Sequence, residues 1–437
     1  MYVADSRAGS PGAPVSADGA VRSRTGRRRA ALAPTVLALG TVSLVTDVSS
    51  EMVTAVLPLY LVTGLGLSPL GFGLLDGVYN GFSAVVRLVG GHLADRGGGR
   101  HKWVAGLGYG ISALCKPLLL LVHTLTPIGL VLAADRTGKG LRTAPRDALI
   151  SLSATPESRG RAFGVHRAMD TAGALLGPLA AFLILRATVD GYDAVFTVSF
   201  CVAVLGVLVL VLFVPGDRTP ATAGKHPGAP PAPRPTLRAA VALLGRRDLR
   251  RITVCALLLG LATVSDSFVY LLLQRRLGVP DRWFALLPLG TAAAFLLLAV
   301  PLGRLADRVG RRQVFLAGHG ALLLAYALLL TAWHGPALPY AVLLLHGTFY
   351  AATDGVLMAA ASESVPEALR SSGLALVQTG QALTRFACSL LFGAAWTLWG
   401  DRTALAASTA ALAACAAFSL TLVPRGTASA TAPEVSA

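Results

Sequence analysis

Apolar residues in this chain gather in long runs rather than alternating, and the runs have a recurring length. A helix that crosses a bilayer needs about 20 predominantly apolar residues. Twelve stretches meet that length, at approximately 32–62, 70–92, 103–123, 127–150, 164–187, 193–214, 251–273, 282–302, 313–333, 336–362, 372–397 and 401–424. The polar breaks between them are short except for one. Residues 215–250 contain the proline-rich run Ala229–Pro235 and eight basic residues, counting His226, which is the composition of a linker. The pattern predicts an all-α integral membrane protein of twelve transmembrane helices in two pseudo-symmetric six-helix bundles. The expected organisation is a basic tail over 1–30, bundles over 31–214 and 251–425, the linker over 215–250 between them, and a short tail over 426–437. The first stretch, from Leu32, is too long for the core of a cleavable signal peptide and reads as the first span.

The two halves echo each other. Gly91-His-Leu-Ala-Asp95-Arg96 follows the second span and Gly303-Arg-Leu-Ala-Asp307-Arg308 follows the eighth, at an offset of 212 that also brings Arg100 onto Arg312. After the fourth and tenth spans, Pro156-Glu157 and Pro366-Glu367 match at an offset of 210. A repeat of this length in a helical membrane protein argues for duplication into two packed bundles, with any binding site between them near mid-membrane.

Composition agrees with this picture and charge refines it. The chain of 437 residues is 54% hydrophobic and 14% charged, whereas soluble domains carry about 25% charged residues. The net charge of +16 does not point to nucleic acid, because it is distributed by side of the membrane. Of 38 Lys and Arg, 25 fall in the tails and the loops of one side, five on the other (Arg186, Arg275, Arg276, Arg282, Arg402) and eight within spans. Such asymmetry orients membrane proteins with the basic side inward. It predicts a multi-pass protein of the cytoplasmic membrane with both termini in the cytoplasm. The five cysteines lie singly inside apolar runs and read as small buried hydrophobes, not as a disulfide or metal framework.

The paired hexads resemble the loop 2–3 signature of the major facilitator superfamily. In that superfamily the motif is a conformational latch, so the resemblance implies gating roles for Gly91, Asp95, Arg96 and Arg100 and for Gly303, Asp307, Arg308 and Arg312. Glycine lets helices approach across a tight turn, and the acid can face a helix N-terminus or an arginine. In span 4, Leu132–Ala144 is similar to the superfamily's membrane-embedded arginine motif, with Arg136 as its arginine. Lys139 and Arg142 stand where the motif usually has Gln and Gly. In span 5, Gly173, Gly177 and Pro178 resemble the helix-kinking motif of drug–proton antiporters, with Ala180 and Ala181 in place of its closing glycine pair. Thr46–Glu51 and Gly138–Asp147 also resemble an uncharacterised bacterial and archaeal branch.

Ionisable residues inside a span cost about 2.5–3.5 kcal/mol each on insertion scales, so they face a cavity or a partner. Eight cations and eight acids are so placed, and each is either a structural ion pair or part of a substrate or proton path. Asp135, Lys139, Arg142 and Arg146 recur on one helical stripe, predicted to line the N-terminal bundle. Asp47 and Glu51 share a face of span 1, where two acids repel unless one is protonated or both meet cations. Counting down from the outer ends of spans 1 and 4 at 1.5 Å per residue brings Glu51 within about 3 Å of the depth of Arg136. The same count sets Asp47 level with Lys139 and Arg142. In the second half, His346, Tyr350 and Asp354 share a stripe, Gln378, Gln381 and Arg385 share another, and Asp266 stands alone in span 7.

The reading that unites these features is secondary active transport by alternating access, exporting a small molecule against entering protons. No nucleotide-binding loop, metal cluster or nucleophile–base constellation argues for ATP hydrolysis or for an enzyme. The expected partners are a small-molecule substrate, protons and the lipid bilayer, with no nucleic acid, no cofactor and a monomeric state. An uptake symporter, the nearest rival, would share the fold and the latch. A non-transporting membrane sensor or scaffold is the alternative of another class.

Overall fold

The computed structural model describes residues 33–96, 101–155, 158–189, 191–215, 242–333, 335–365 and 370–422. The tails over 1–30 and 426–437, most of the 215–250 linker, and the Pro156-Glu157 and Pro366-Glu367 pairs lie outside them. The described residues form helices α1 (Pro34–Leu59), α2 (Pro69–Arg96), α3 (His101–Leu121), α4 (Leu125–Leu152), α5 (Arg159–Ala187) and α6 (Gly191–Phe213) in the first half. The second half holds α7 (Arg247–Ala262), α8 (Asp266–Leu277), α9 (Asp281–Phe284), α10 (Leu287–Val309), α11 (Arg311–Leu330), α12 (Leu338–Glu363), α13 (Arg370–Trp399) and α14 (Asp401–Leu422). With α7–α8 and α9–α10 each taken as one broken span, these are twelve spans, as the apolar runs predict. Ten are long and apolar enough by hydropathy to cross a membrane. The other two, α2 and α4, fall short because they carry ionisable residues.

Three local departures from regular helices have physical causes. The first span ends in a π-helical turn, Tyr60–Gly64, just past Pro58, whose missing N–H disturbs the helical ladder. Span 7, expected as one helix, breaks at Thr263–Ser265. There the freed Val264 N–H donates to the Tyr326 hydroxyl at 2.8 Å, so the break is satisfied by protein rather than lipid. Gly278 and Gly310 adopt φ of 60° and 104° where α8 and α10 end, conformations that favour glycine.

Packing repeats between the halves. In the first, α1 lies against α5 and α6, α3 against α4 and α6, and α2 against α4. In the second, α7 lies against α13 and α14, α11 against α12 and α14, and α10 against α12. The halves meet along α2–α13 and, more lightly, α5–α10.

The buried apolar side chains are not evenly shared along this axis. At the end bearing the connections 65–68, 122–124, 188–189, 278–280 and 331–333, here the distal end, one cluster joins both halves. It runs from Tyr60, Phe72 and Phe196 to Phe268, Phe392 and Trp396. Phe72 and Phe268 meet edge to face at 4.9 Å across the boundary, and Phe182 meets Trp283 at 5.0 Å. At the opposite end, among the described residues, the clusters separate by half. Val36, Leu39 and Tyr109 belong to one, and Leu249, Leu357 and Val377 to another. Among the described residues, buried apolar packing thus joins the bundles distally and stays within each bundle at the terminal end.

Candidate functional site

Between the bundles lies a cavity of about 440 Å³, walled by both halves. The first half contributes Glu51, Thr54 and Pro58 of α1, Tyr79 and Asn80 of α2, and Ala174 and Pro178 of α5. From the second come the α7–α8 break with Asp266, Tyr350 and Asp354 of α12, and Gln381, Arg385 and Ser389 of α13, among others.

On the first side, an acid ladder on α1 faces a cation ladder on α4. Asp47 Oδ1 lies 3.5 Å from Arg142 Nη2, and Glu51 Oε1 lies 4.0 Å from Lys139 Nζ. The upper pair is the more open, with Lys139 37% and Glu51 27% exposed and Glu51 lining the cavity, whereas Arg142 is 4% and Asp47 14% exposed. Asp170 of α5 also neighbours Asp47. Arg146 closes the lower end, reaching Asp147 at 3.1 Å and Asp170 at 3.7 Å.

The pairing departs from the depth count at Arg136. That residue was expected opposite Glu51 but pairs with Asp135 at 2.5 Å, its guanidinium lying 3.7 Å over the Tyr79 ring. At 3.6 residues per turn, Arg136 is roughly 60° round the helix from Lys139 and 120° from Arg142, so it faces α2 while they face α1. Nor does Asp135 join the stripe below it. Its carboxylate sits between Arg136 and Lys116 Nζ, 2.9 Å away on α3. All three side chains are under one-tenth exposed, making a buried cation–acid–cation triad.

The antiporter-like glycines lie at the back of the ladder. A Cβ on Gly173 would stand 2.4 Å from the Leu44 carbonyl oxygen, and one on Gly177 would stand 2.6 Å from the Cβ of Glu51. These residues let α5 press its backbone onto α1 at the level of both acids. Helix α5 itself continues through Pro178 to Ala187.

On the second side, Asp266 is not alone. It opens α8 at the break, receives the Tyr350 hydroxyl at 2.5 Å, and lies 3.4 Å from Nε2 of the fully buried His346. Two of the three residues on the α12 stripe therefore converge on it. The third, Asp354, is exposed toward the cavity, as is Arg385, and neither forms an ion pair within 4 Å among the described residues. Sequence reasoning missed the break and therefore the convergence. Its signal was the polar run Thr263-Val-Ser-Asp-Ser267.

Of the latch residues, Arg100 and the side chains of Gly91, Asp95 and Arg96 lie outside the described residues. In the second copy, Asp307 is 70% exposed and 3.8 Å from Arg311, and Arg308 is exposed. Arg312 donates to the Leu420 carbonyl of α14, and Gly303 has open space where a Cβ would be. Among the described residues, no group of three or more His, Cys, Asp or Glu is placed to hold a metal ion.

Comparison with known proteins places this geometry. The family model described as Major Facilitator Superfamily matches residues 39–387 and 284–436. An uncharacterised MFS-type transporter of Methanocaldococcus jannaschii is 30% identical over 389 residues, covering 87% of this chain and 93% of its own. An uncharacterised protein of Mycobacterium tuberculosis is 34% identical over 218 residues, 49% of this chain and 53% of its own. Among solved structures, a variant of a nucleoside transporter superposes with a TM-score of 0.75 at 14% identity, covering 89% of this chain and all (100%) of that one. A bacterial homologue of the human lysosomal transporter Spinster, inward-facing and unoccupied, superposes with 0.73 at 16% identity, covering 89% and 96%. Those likenesses concern fold. The match of sequence and family model across the whole membrane region establishes that the chain belongs to the major facilitator superfamily of membrane transporters.

Proposed function

We propose that the protein exports a small molecule across the cytoplasmic membrane by alternating access, driven by protons that enter in exchange. The observation that carries this reading is the α1–α4 ladder. Each of two neighbouring acids faces a cation, and the upper acid, Glu51, lines the cavity while paired with Lys139. Protonating Glu51 removes its attraction for Lys139, and a proton that binds one conformation better than the other shifts the equilibrium between them. The neighbouring Asp47 and Asp170 give the ladder a second place to hold a proton. The 25-to-5 distribution of basic residues supports cytoplasmic termini, which makes the joined distal end extracellular and the conformation inward-open. Export rests on the resemblance of Gly173, Gly177 and Pro178 to the antiporter motif, here set against α1 at both acids. Asp95 and Asp307 serve as gating rather than binding residues.

The test uses everted membrane vesicles with an acidified lumen, reported by a fluorescent ΔpH probe. Sugars, nucleosides, amino acids and lipophilic cations are added one at a time. Wild-type vesicles should lose quenching with at least one compound, and Glu51→Gln and Asp47→Asn vesicles should not. If both variants respond like wild type, the ladder does not carry the proton. Compound-dependent alkalinisation outside right-side-out vesicles would make the protein an uptake symporter instead.

A further inference from the structure

One acid stands apart from the ladder. Asp76 of α2 is 5% exposed and lies in the seam where α2 of the first bundle meets α13 of the second. Its Oδ2 accepts the Ser389 hydroxyl of α13 at 2.6 Å, and its Oδ1 accepts the Asn80 amide at 3.1 Å. The Ser265 and Ser267 side chains at the α7–α8 break lie beside the carboxyl. Thus one side chain takes hydrogen bonds from both bundles and borders a third span.

Its other neighbours supply no counter-charge. The titratable groups beside it are Asp266 on α8 and Cys388 on α13, while Arg385, one turn from Ser389 on α13, interacts with Tyr350, Asp354 and Asp266. Beyond Tyr79, toward α1 and α4, lie Glu51 and the Arg136–Asp135 pair, which is already closed on itself. Among the described residues no Lys, Arg or His comes within 4 Å of Asp76. The seam also excludes water by close contact of backbones. A Cβ on Gly73 would stand 2.4 Å from the Ser389 carbonyl oxygen, and one on Gly393 would stand 2.5 Å from that of Pro69. Burying a carboxylate without a cation is costly at membrane depth, whereas burying the neutral acid with hydroxyl and amide partners is not.

We propose that Asp76 is a proton-binding site of the outer seam, neutral while α2 and α13 pack together and ionised when they part. The idea rests on the proton-driven reading above and adds where an external proton binds. In the outward-open state the seam is split and Asp76 meets extracellular water. Closing the seam requires the carboxyl to take up a proton. In the inward-open state Asp76 is buried, but Asn80, Ser265, Ser267 and Ser389 all line the cavity. The Ser265, Ser267 and Ser389 hydroxyls provide a one-residue relay from its carboxyl toward Asp266 and the cytoplasmic opening.

The test needs no substrate. The five native cysteines are replaced, spin labels are placed at Leu70→Cys on α2 and Leu398→Cys on α13, and distances are measured in nanodiscs from pH 5 to 9. Wild type should show the short, closed-seam distance at low pH and a growing longer population as pH rises. Asp76→Asn, which is always neutral and keeps the same shape, should hold the short distance throughout. Asp76→Glu should restore a pH response, and Ser389→Ala should keep one with a shifted midpoint. Wild-type distances that ignore pH, or an Asp76→Asn response equal to wild type, would overturn the proposal. A pH-governed seam without compound-driven proton movement in everted vesicles would leave it standing and remove the transport reading instead.

Discussion

Replacing Asp135 by Asn separates a charge that holds the fold from charges that do transport. The Asp135 carboxylate lies 2.9 Å from Lys116 and 2.5 Å from Arg136, and the three side chains are 9%, 3% and 7% exposed. Asn is nearly the same size but neutral, so two buried cations lose their counter-charge. Breaking a buried ion pair in this way costs about 3–5 kcal/mol. An isolated Lys or Arg at the centre of a span costs about 2.5–3.5 kcal/mol on insertion scales, which overlaps the lower end of that range. Two stranded cations do not double the figure, because Arg136 keeps the Tyr79 ring at 3.7 Å. At tenfold per 1.4 kcal/mol, the folded-to-unfolded ratio should fall roughly a hundred- to several-thousand-fold. The control is Glu51→Gln, whose 4.0 Å pair with Lys139 is about a third exposed and should be worth no more than about 1 kcal/mol. Unfolding of purified protein by SDS titration in dodecyl maltoside micelles, followed by tryptophan fluorescence, measures both. An Asp135→Asn protein no less stable than Glu51→Gln would refute the assignment of the triad as structural.

Three further outcomes are expected. Gly73→Ala sets a methyl carbon 2.4 Å from the Ser389 carbonyl oxygen, so the outer seam should fail to close and the Leu70–Leu398 spin-label distance should lengthen at every pH; an unchanged distance would count against a backbone-tight seam. Gly177→Leu should force α5 off α1 beside Glu51 and abolish proton-coupled transport along with much of the expression, whereas Gly160→Ala, in open space, should leave both near wild type. Reporter fusions after Thr63, Pro220 and Ala437 should read outside, inside and inside, and an outside signal at Pro220 would break the two-bundle topology.

What could be read in the chain was whatever one helix decides alone. Apolar runs located the spans to within a few residues, and the pairs at i, i+4 correctly set Asp47 with Glu51, and His346 with Tyr350, on common faces. What escaped was decided by a neighbouring helix. Asp135 shares a stripe with Lys139 and Arg142 by periodicity, yet Lys116 on α3 turns it away. Arg136 matched Glu51 in depth but not in azimuth, and depth was all that a count from the span ends could give. The seam had a signal that went unread. Gly73, Gly77 and Gly81 recur every four residues on α2, the small-residue spacing that lets membrane helices approach closely. Only the fold shows that Ser389, Phe386 and Gly393 of the other bundle fill that groove.

The duplication adds one more step. Helices α7–α8 and α12 occupy in the second bundle the places that α1 and α4 hold in the first, as the matching contacts show. Both halves then build the same device, an acid on the first span facing a base on the fourth. In one half it is Glu51 with Lys139, and in the other Asp266 with His346. The chemistry of the bases sets them apart. Lysine is a full charge, so protonating Glu51 is what dissolves that pair. Histidine is charged only when it takes a proton, and Asp266 keeps the Tyr350 hydroxyl either way. A proton arriving at the first pair therefore releases a contact, while one arriving at the second strengthens it. Asp76 lies between them, beside the helix break that precedes Asp266 and separated from Glu51 by Tyr79. Under the proton-driven exchange proposed above, a proton reaching the first bundle's pair would loosen it and one reaching the second's would tighten it, so the two bundles would answer the same ion in opposite senses.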